Sequence, residues 1–228
     1  MKKVFLLFYN LIENYIHLKR IKIFLTNNIF LKKPVIFDIG SHQGKIAILM
    51  NQIYKNASIY CFEPNKSMNK KLKKIGKNIQ ICNYAVGDKV ADKKININKI
   101  DLTNTLSQIN NDSLYLKIKN LIINKPKKKN DYKKIKMISL KYFCKKNKIK
   151  HIDFLKIDVE GYEYKVLIGA KEIIKKVKYI MIEVQKNDMY KGYSRKKIED
   201  YLRKHNFKLI KKFNFPFMFF QDNIYKKI

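Results

Sequence analysis

The residues best suited to chemistry are acids that stand beside glycines where apolar runs end. Asp38 opens the segment Asp38-Ile39-Gly40-Ser41-His42-Gln43-Gly44, after the apolar run Val35-Ile36-Phe37 and before a helical pattern from Lys45 to Tyr54. Glycines in such a turn let backbone approach a ligand closely, and the N–H groups at the helix start face it. The Gly-x-Gly-x-x-Gly spacing of a dinucleotide fold is absent. So is the Lys-Ser/Thr ending of a phosphate-cradling loop. An acid ahead of the glycines repels a pyrophosphate but suits a cationic ligand, such as the ammonium and sulfonium of S-adenosylmethionine. Asp38, Gly40, Ser41, His42 and Gly44 are the expected contacts.

Three further segments fall at the ends of apolar runs. Glu63 ends Tyr60-Cys61-Phe62-Glu63-Pro64, where an acid at a strand tip accepts the hydroxyls of a ribose. The other reading of Glu63 is a cap on a helix from Ser67 to Lys74. Asn83-Tyr84-Ala85-Val86-Gly87-Asp88 ends a third run, and adenine is expected against it near Ala85. The fourth segment, Ile152 to Gly161, closes on Asp158 and Glu160. Burial of a carboxylate is costly without partners. Two acids at the end of a core strand therefore point to a base, a substrate clamp or a metal site. Asp158 is the first candidate to orient or deprotonate an acceptor hydroxyl and Glu160 the second, with His42 and His151 as alternatives. Asp153 and Glu163 are expected at the strand start and on a helix face. Glu183 is either another acid of the same edge or half of a salt bridge to a lysine.

These segments need a scaffold that brings strand ends together. Val35–Phe37, Ser58–Phe62, Ile79–Val86, Asp153–Ile157 and Tyr179–Val184 read as strands separated by helical patterns, which predicts an α/β fold with a mostly parallel sheet and helices on both faces. Phe207–Ile210 and Phe215–Phe220 are too close for a crossover connection, so they are expected as an antiparallel hairpin. Residues 1–33 read as a helical extension, with Val4, Phe8, Leu11, Tyr15 and Leu18 at helical spacing. It either packs across the sheet or, being basic and amphipathic, makes peripheral membrane contact. The domain itself spans 34–228. Residues 89–134 are read as an irregular lysine-rich insertion with a helix near Leu114–Ile122.

The formal charge is +33, from 51 Lys and Arg against 18 Asp and Glu. As a functional signal it implies an anionic partner: nucleic acid, phospholipid or an acidic glycan. As composition it is the imprint of AT-rich codons, with Lys, Asn and Ile abundant, Trp absent and Arg only at 20, 195 and 203. Arg is the side chain whose planar fork reads phosphates and bases. Its scarcity limits the expectation to loose, non-specific nucleic-acid binding. Three cysteines without metal-ligand spacing fit a reduced, cytoplasmic chain, and no residue is assigned to a metal. No small-residue cleavage site follows the apolar start, and no run is long enough to span a bilayer.

Taken in order, Phe37 to Gly44, Cys61-Phe62-Glu63-Pro64-Asn65, Asn83 to Asp88, Ile138-Ser139-Leu140-Lys141-Tyr142-Phe143 and Asp153 to Gly161 resemble the FkbM-type family of S-adenosylmethionine-dependent methyltransferases. Ile180 to Val184 and Phe217 to Phe220 are similar to the family's later strands. The resemblance covers about residues 34–220. It implies a Rossmann-like class I methyltransferase sheet of seven strands with a reversed last strand. It also implies S-adenosylmethionine contacts near Asp38, Gly40, Gly44 and Glu63, and O-methylation of a small-molecule or glycan acceptor. Two positions depart from the pattern. His42 stands where the family often has Asn, and Ser139-Leu140-Lys141 stands where it has Thr-Leu-Asp.

Overall fold

The segment Ile152–Ile157 is buried at all six positions, and such a run fits only a strand covered on both faces. In the computed structural model, which describes residues 11–68, 72–73, 76–97, 105–117, 131–215 and 220–228, this segment is the middle of the main sheet. The strands are β1 (Val35–Ile39), β2 (Ser58–Phe62), β3 (Ile79–Cys82), β4 (Ala85–Val86), β5 (Ala91–Ile97), β6 (Asp131–Ile138), β7 (Ile152–Ile157), β8 (Val177–Gln185), β9 (Phe207–Asn214) and β10 (Phe220–Lys227). Seven of them form one sheet in the order β3-β2-β1-β7-β8-β10-β9. The first five in that order are parallel; β10 runs antiparallel to both β8 and β9. The order reverses between β1 and β7, which creates the crevice where sheets of this kind bind ligands.

Helices cover both faces, as the alternation of elements requires. On one face α1 (Leu18–Asn28) and α2 (Lys45–Ile53) bury Ile21, Leu25, Ala47 and Met50 against Ile36, Ile59, Phe154 and Ile224. On the other, α3 (Leu140–Lys146), α4 (Glu163–Ala170) and α5 (Arg195–Lys204) bury Phe143, Val166, Leu167, Ile198 and Leu202 against Phe37, Leu155 and Ile182. Ser139 and Ser194 cap α3 and α5 by accepting the backbone N–H three residues on.

Four sequence expectations shift. Leu11 and Tyr15, placed on the inward stripe of the N-terminal helix, are 46% and 71% exposed. A π-helical turn at Ile12–His17 breaks the 3.6-residue repeat, so the buried stripe becomes Ile12, His17, Ile21 and Leu25. Val4 and Phe8 lie outside the described residues. The third strand stops at Cys82, and Ala85-Val86 leaves for a second sheet, β4-β6-β5. The segment 89–134 is not irregular at its ends: β5 pairs antiparallel with β6 from Ala91↔Met137 to Ile97↔Asp131. Much of the helix expected at Leu114–Ile122 lies outside the described residues, which are helical at 114–117.

The last shift concerns the closing hairpin. Its second strand is Phe220–Lys227 rather than Phe215–Phe220. Gln221, Asp222 and Asn223 hide it from a hydrophobicity reading, yet all three are buried. Gln221 Nε2 donates to Asn223 Oδ1 at 2.8 Å, which offsets part of their desolvation.

The N-terminal helix is thus part of the core. Leu25→Ala is expected to cost about 2–5 kcal/mol of unfolding free energy, whereas Ile23→Ala on the exposed side stays within about 0.5 kcal/mol. Urea denaturation of the two variants checks this; equal losses would detach α1 from the core.

Candidate active site

The carboxyl ends of β1, β2, β7 and β8 open on one cleft, joined by residues of β10, the β3–β4 segment and the start of α1. Six of the chain's 18 acids line it: Glu13, Glu63, Asp158, Glu160, Glu183 and Asp222. In a chain of charge +33, that clustering marks the cleft as a place for a cationic ligand.

Lys156 organises the floor. It is buried on β7 directly beside Asp38 of β1 in the parallel register. Its Nζ lies 3.1 Å from Asp38 Oδ1 and 3.3 Å from Asp158 Oδ2, and it donates to the Gly40 carbonyl at 3.0 Å. Burial by itself would lower the pKa of this ammonium; Asp158 and Asp38 outweigh it and hold Lys156 charged above the ordinary lysine range. The expected acidity of the loop after β1 is therefore tempered by a lysine that sequence reading did not single out. The signal is a lysine near the carboxyl end of a buried strand whose only other charge, Asp153, sits at its amino end.

The loop after β1 is drawn tightly over β7. Gly40 has φ +75°, and a Cβ at this position would fall 1.8 Å from the Asp158 carbonyl oxygen. Only glycine fits. Its N–H and that of Ser41 donate to the Phe62 carbonyl at 3.0 and 3.1 Å. His42 also takes a left-handed conformation, φ 45°, a region that His and Asn tolerate better than most residues. The His42 N–H donates to Glu63 Oε2 at 3.0 Å, and the Asn65 N–H donates to Glu63 Oε1 at 2.8 Å. Glu63 is thus fixed by two backbone amides. Ala85, buried in β4, lines the same cleft, whereas Gly44 caps α2 and is not among the residues that line it.

Asp158 is the carboxylate of this cluster that reaches the cleft: its side chain is 32% exposed, against 1% for Asp38. Burial raises its pKa, Lys156 opposes that, and Asp222 and Asp38 raise it again. Glu160 has φ 54° and accepts from the Tyr190 hydroxyl, while its carbonyl accepts from Thr105 Oγ1 at 2.6 Å. Glu183 pairs with Asp222 across β8 and β10 and accepts from Gln185 Nε2. No lysine salt bridge to it occurs among the described residues. Burial first, then Asp158 and Glu160, push its pKa well above the carboxylate range.

His17 and Asp222 enter the cleft unannounced by sequence. Their side chains meet at 2.6 Å across 205 residues of chain, with His17 edge-on to Phe213, Phe215 and Phe220. His151, an alternative base, is at the wrong end of β7. It stands before the strand, 3.3 Å from Asp153, which also binds Lys178 and the Val35 N–H at the amino edge. Glu163, expected on a helix face, is wholly buried. Its Oε1 accepts from the Val159 and Gly161 N–H groups at 3.1 and 3.0 Å and shapes the loop that carries Asp158 and Glu160.

The donor set fits S-adenosylmethionine. The Gly40 cradle admits close backbone, Glu63 offers acceptors at a strand tip, and the acidic lining suits positive charge. The methyltransferase FkbM domain model matches residues 38–209. The chain belongs to the FkbM methyltransferase family. It is an S-adenosylmethionine-dependent methyltransferase. No curated protein matches it significantly. Solved structures share the fold at low identity. A candidate rRNA methylase from Clostridium thermocellum is 8% identical, with 93% of this chain and 96% of that chain covered and a TM-score of 0.53. An uncharacterized protein from Listeria monocytogenes is 11% identical, with 92% and 66% covered and a TM-score of 0.51. Aeropyrum pernix fibrillarin, solved with S-adenosylmethionine bound, is 13% identical, with 91% and 74% covered and a TM-score of 0.50.

Burial pushes the Glu163 pKa from 4.5 up to about 8. A raised folded-state pKa means that the proton-linked stability is complete below 4.5 and is lost as pH rises through about 8. Glu163→Gln keeps an acceptor for the two amides and cannot ionise. Its melting temperature should therefore gain on the wild type as pH goes from about 5 to about 8. Parallel melting curves across that window would refute the assignment.

Proposed function

We propose that this FkbM-family enzyme O-methylates a hydroxyl of a sugar, glycan or other small molecule, with Asp158 taking the hydroxyl proton. The observation that carries the reading is the exposure contrast at the switch point. Asp158 faces the cleft while the neighbouring Asp38 and Glu163 are sealed behind it. Gly40, Ser41 and His42 would hold the aminoacyl end of the cofactor, Glu63 its ribose, and Ala85 its adenine, while Asp38, sealed behind them, acts through Lys156. S-adenosylmethionine supplies a methyl group on a positively charged sulfur.

The protein's own part is placement and proton removal. Holding the acceptor oxygen in line is worth about 7–11 kcal/mol of barrier. Removing its proton adds about 10²–10⁴-fold. The raised proton affinity of Asp158 favours this task, because a base works best with a pKa near the operating pH. Lys156, 3.3 Å away, keeps the carboxylate ionised and aimed. Glu160, fixed by Tyr190, is the second carboxylate, suited to orienting the acceptor.

The acceptor is to be identified by transfer of a tritiated methyl group into fractionated extracts. With it in hand, Asp158→Asn keeps the shape and removes the basicity. Single-turnover methylation should fall by about 10²-fold or more, while S-adenosylmethionine affinity changes little. Near-normal turnover rules out the base; collapse of affinity reassigns Asp158 to the cofactor.

A further inference from the structure

Beside the cofactor cleft lies a second concavity, between β3, α3 and the small sheet. Its lining is lysine: Lys93 and Lys94 of β5, Lys133, Lys134 and Lys136 of β6, with Lys66 and Lys146 on the facing wall. Among the described residues, the only acid in the lining is Asp92. None of these lysines is paired with a carboxylate among the described residues, although Lys45, Lys141, Lys156, Lys165 and Lys178 elsewhere each have such a partner.

The strand register makes the arrangement costly. Lys94 stands directly opposite Lys134 in the antiparallel ladder, and Lys136, on the same face, faces Asp92. Like charges directly opposite each other destabilise a sheet. Codon bias accounts for many lysines in this chain, but not for a cross-strand lysine pair in a concave wall with one acid. An anionic ligand would turn that repulsion into binding.

We propose that this trough binds an acidic glycan, a sugar chain bearing phosphate or carboxylate groups, and so holds the acceptor. The proposal rests on the reading of the enzyme as an O-methyltransferase of glycans. The trough has a volume of about 1050 Å³, at the upper end of small-molecule sites and so large enough for a chain rather than a single ion. Pro64 and Tyr84 line both the trough and the cofactor cleft, so the two concavities adjoin along a shared wall. Its concavity fits a chain better than a flat bilayer. Its ammonium groups are point charges on flexible stems, suited to irregularly spaced anions. No arginine lines it, and nucleic-acid recognition favours the planar, stacking guanidinium.

The test is equilibrium binding of oligogalacturonate, inorganic polyphosphate and a single-stranded RNA of matched charge to the full chain. It compares Lys94→Gln/Lys134→Gln/Lys136→Gln with a control of equal charge loss, Lys196→Gln/Lys197→Gln/Lys204→Gln on α5. Circular dichroism verifies that both variants are folded. The trough variant should bind oligogalacturonate at least ten-fold more weakly than wild type, with a shallower salt dependence, while the control stays within about two-fold. Equal losses in the two variants would mean diffuse attraction and overturn the site. Tight binding of RNA without oligogalacturonate would reassign it to nucleic acid, and polyphosphate alone to a free phosphate polymer. Binding requires no turnover. A trough that binds glycan in an enzyme that methylates none would refute the acceptor reading and leave the site.

Discussion

The structure depends on one buried ammonium. Lys156 sits where the strand order reverses, with Asp38 and Asp158 within 3.3 Å and the Gly40 carbonyl at 3.0 Å. A charge in that position requires partners, because several kcal/mol of desolvation per ion must be offset. The partners it finds come from the end of β1, from the glycine turn and from the end of its own strand. The same contacts draw the turn against β7 so closely that residue 40 has no room for a Cβ. Fold and site are therefore set by a single constraint rather than by separate ones.

Around that point the protein concentrates charge against its own composition. The surface is overwhelmingly basic, yet the cleft is acidic, and the lysine trough begins at its rim. A sheet that gathers strand ends at one edge makes this separation available, since residues far apart in sequence become neighbours there. Glu183 and Asp222 meet across β8 and β10, while His17 arrives from the N-terminal helix to hold Asp222. Burial first, and then repulsion among carboxylates packed this way, raises the proton affinity of Asp158 and Glu183. In the proposed O-methylation, that shift would favour proton transfer from the acceptor hydroxyl.

Much of this was legible in the residues. The parallel core, the glycine turn with Asp38, the strand-tip acid Glu63 and the Asp158–Glu160 loop all follow from local patterns of apolar runs ended by acids and glycines. What escaped has physical reasons. β10 escaped because its centre is Gln221-Asp222-Asn223, whose burial depends on bonds within the sheet. The inward stripe of the N-terminal helix departs from a 3.6-residue repeat because a π turn at Ile12–His17 shifts it. The pairing of β5 with β6 escaped because lysines on both strands mimic a solvated loop. Glu163 looked like a helix surface residue, and only the fold shows it turned under the β7 loop.

If the Lys156 cluster builds the cofactor site, calorimetric titration of S-adenosylmethionine into wild type and Lys156→Met will separate the two proteins. Met preserves the stem and removes the charge, leaving Asp38 buried without its cation and the Gly40 carbonyl without its donor. Wild type should bind one equivalent. The folded variant should bind at least ten-fold more weakly, a loss of about 1.4 kcal/mol or more. Equal affinity in the two proteins, or no binding by wild type, would contradict the account.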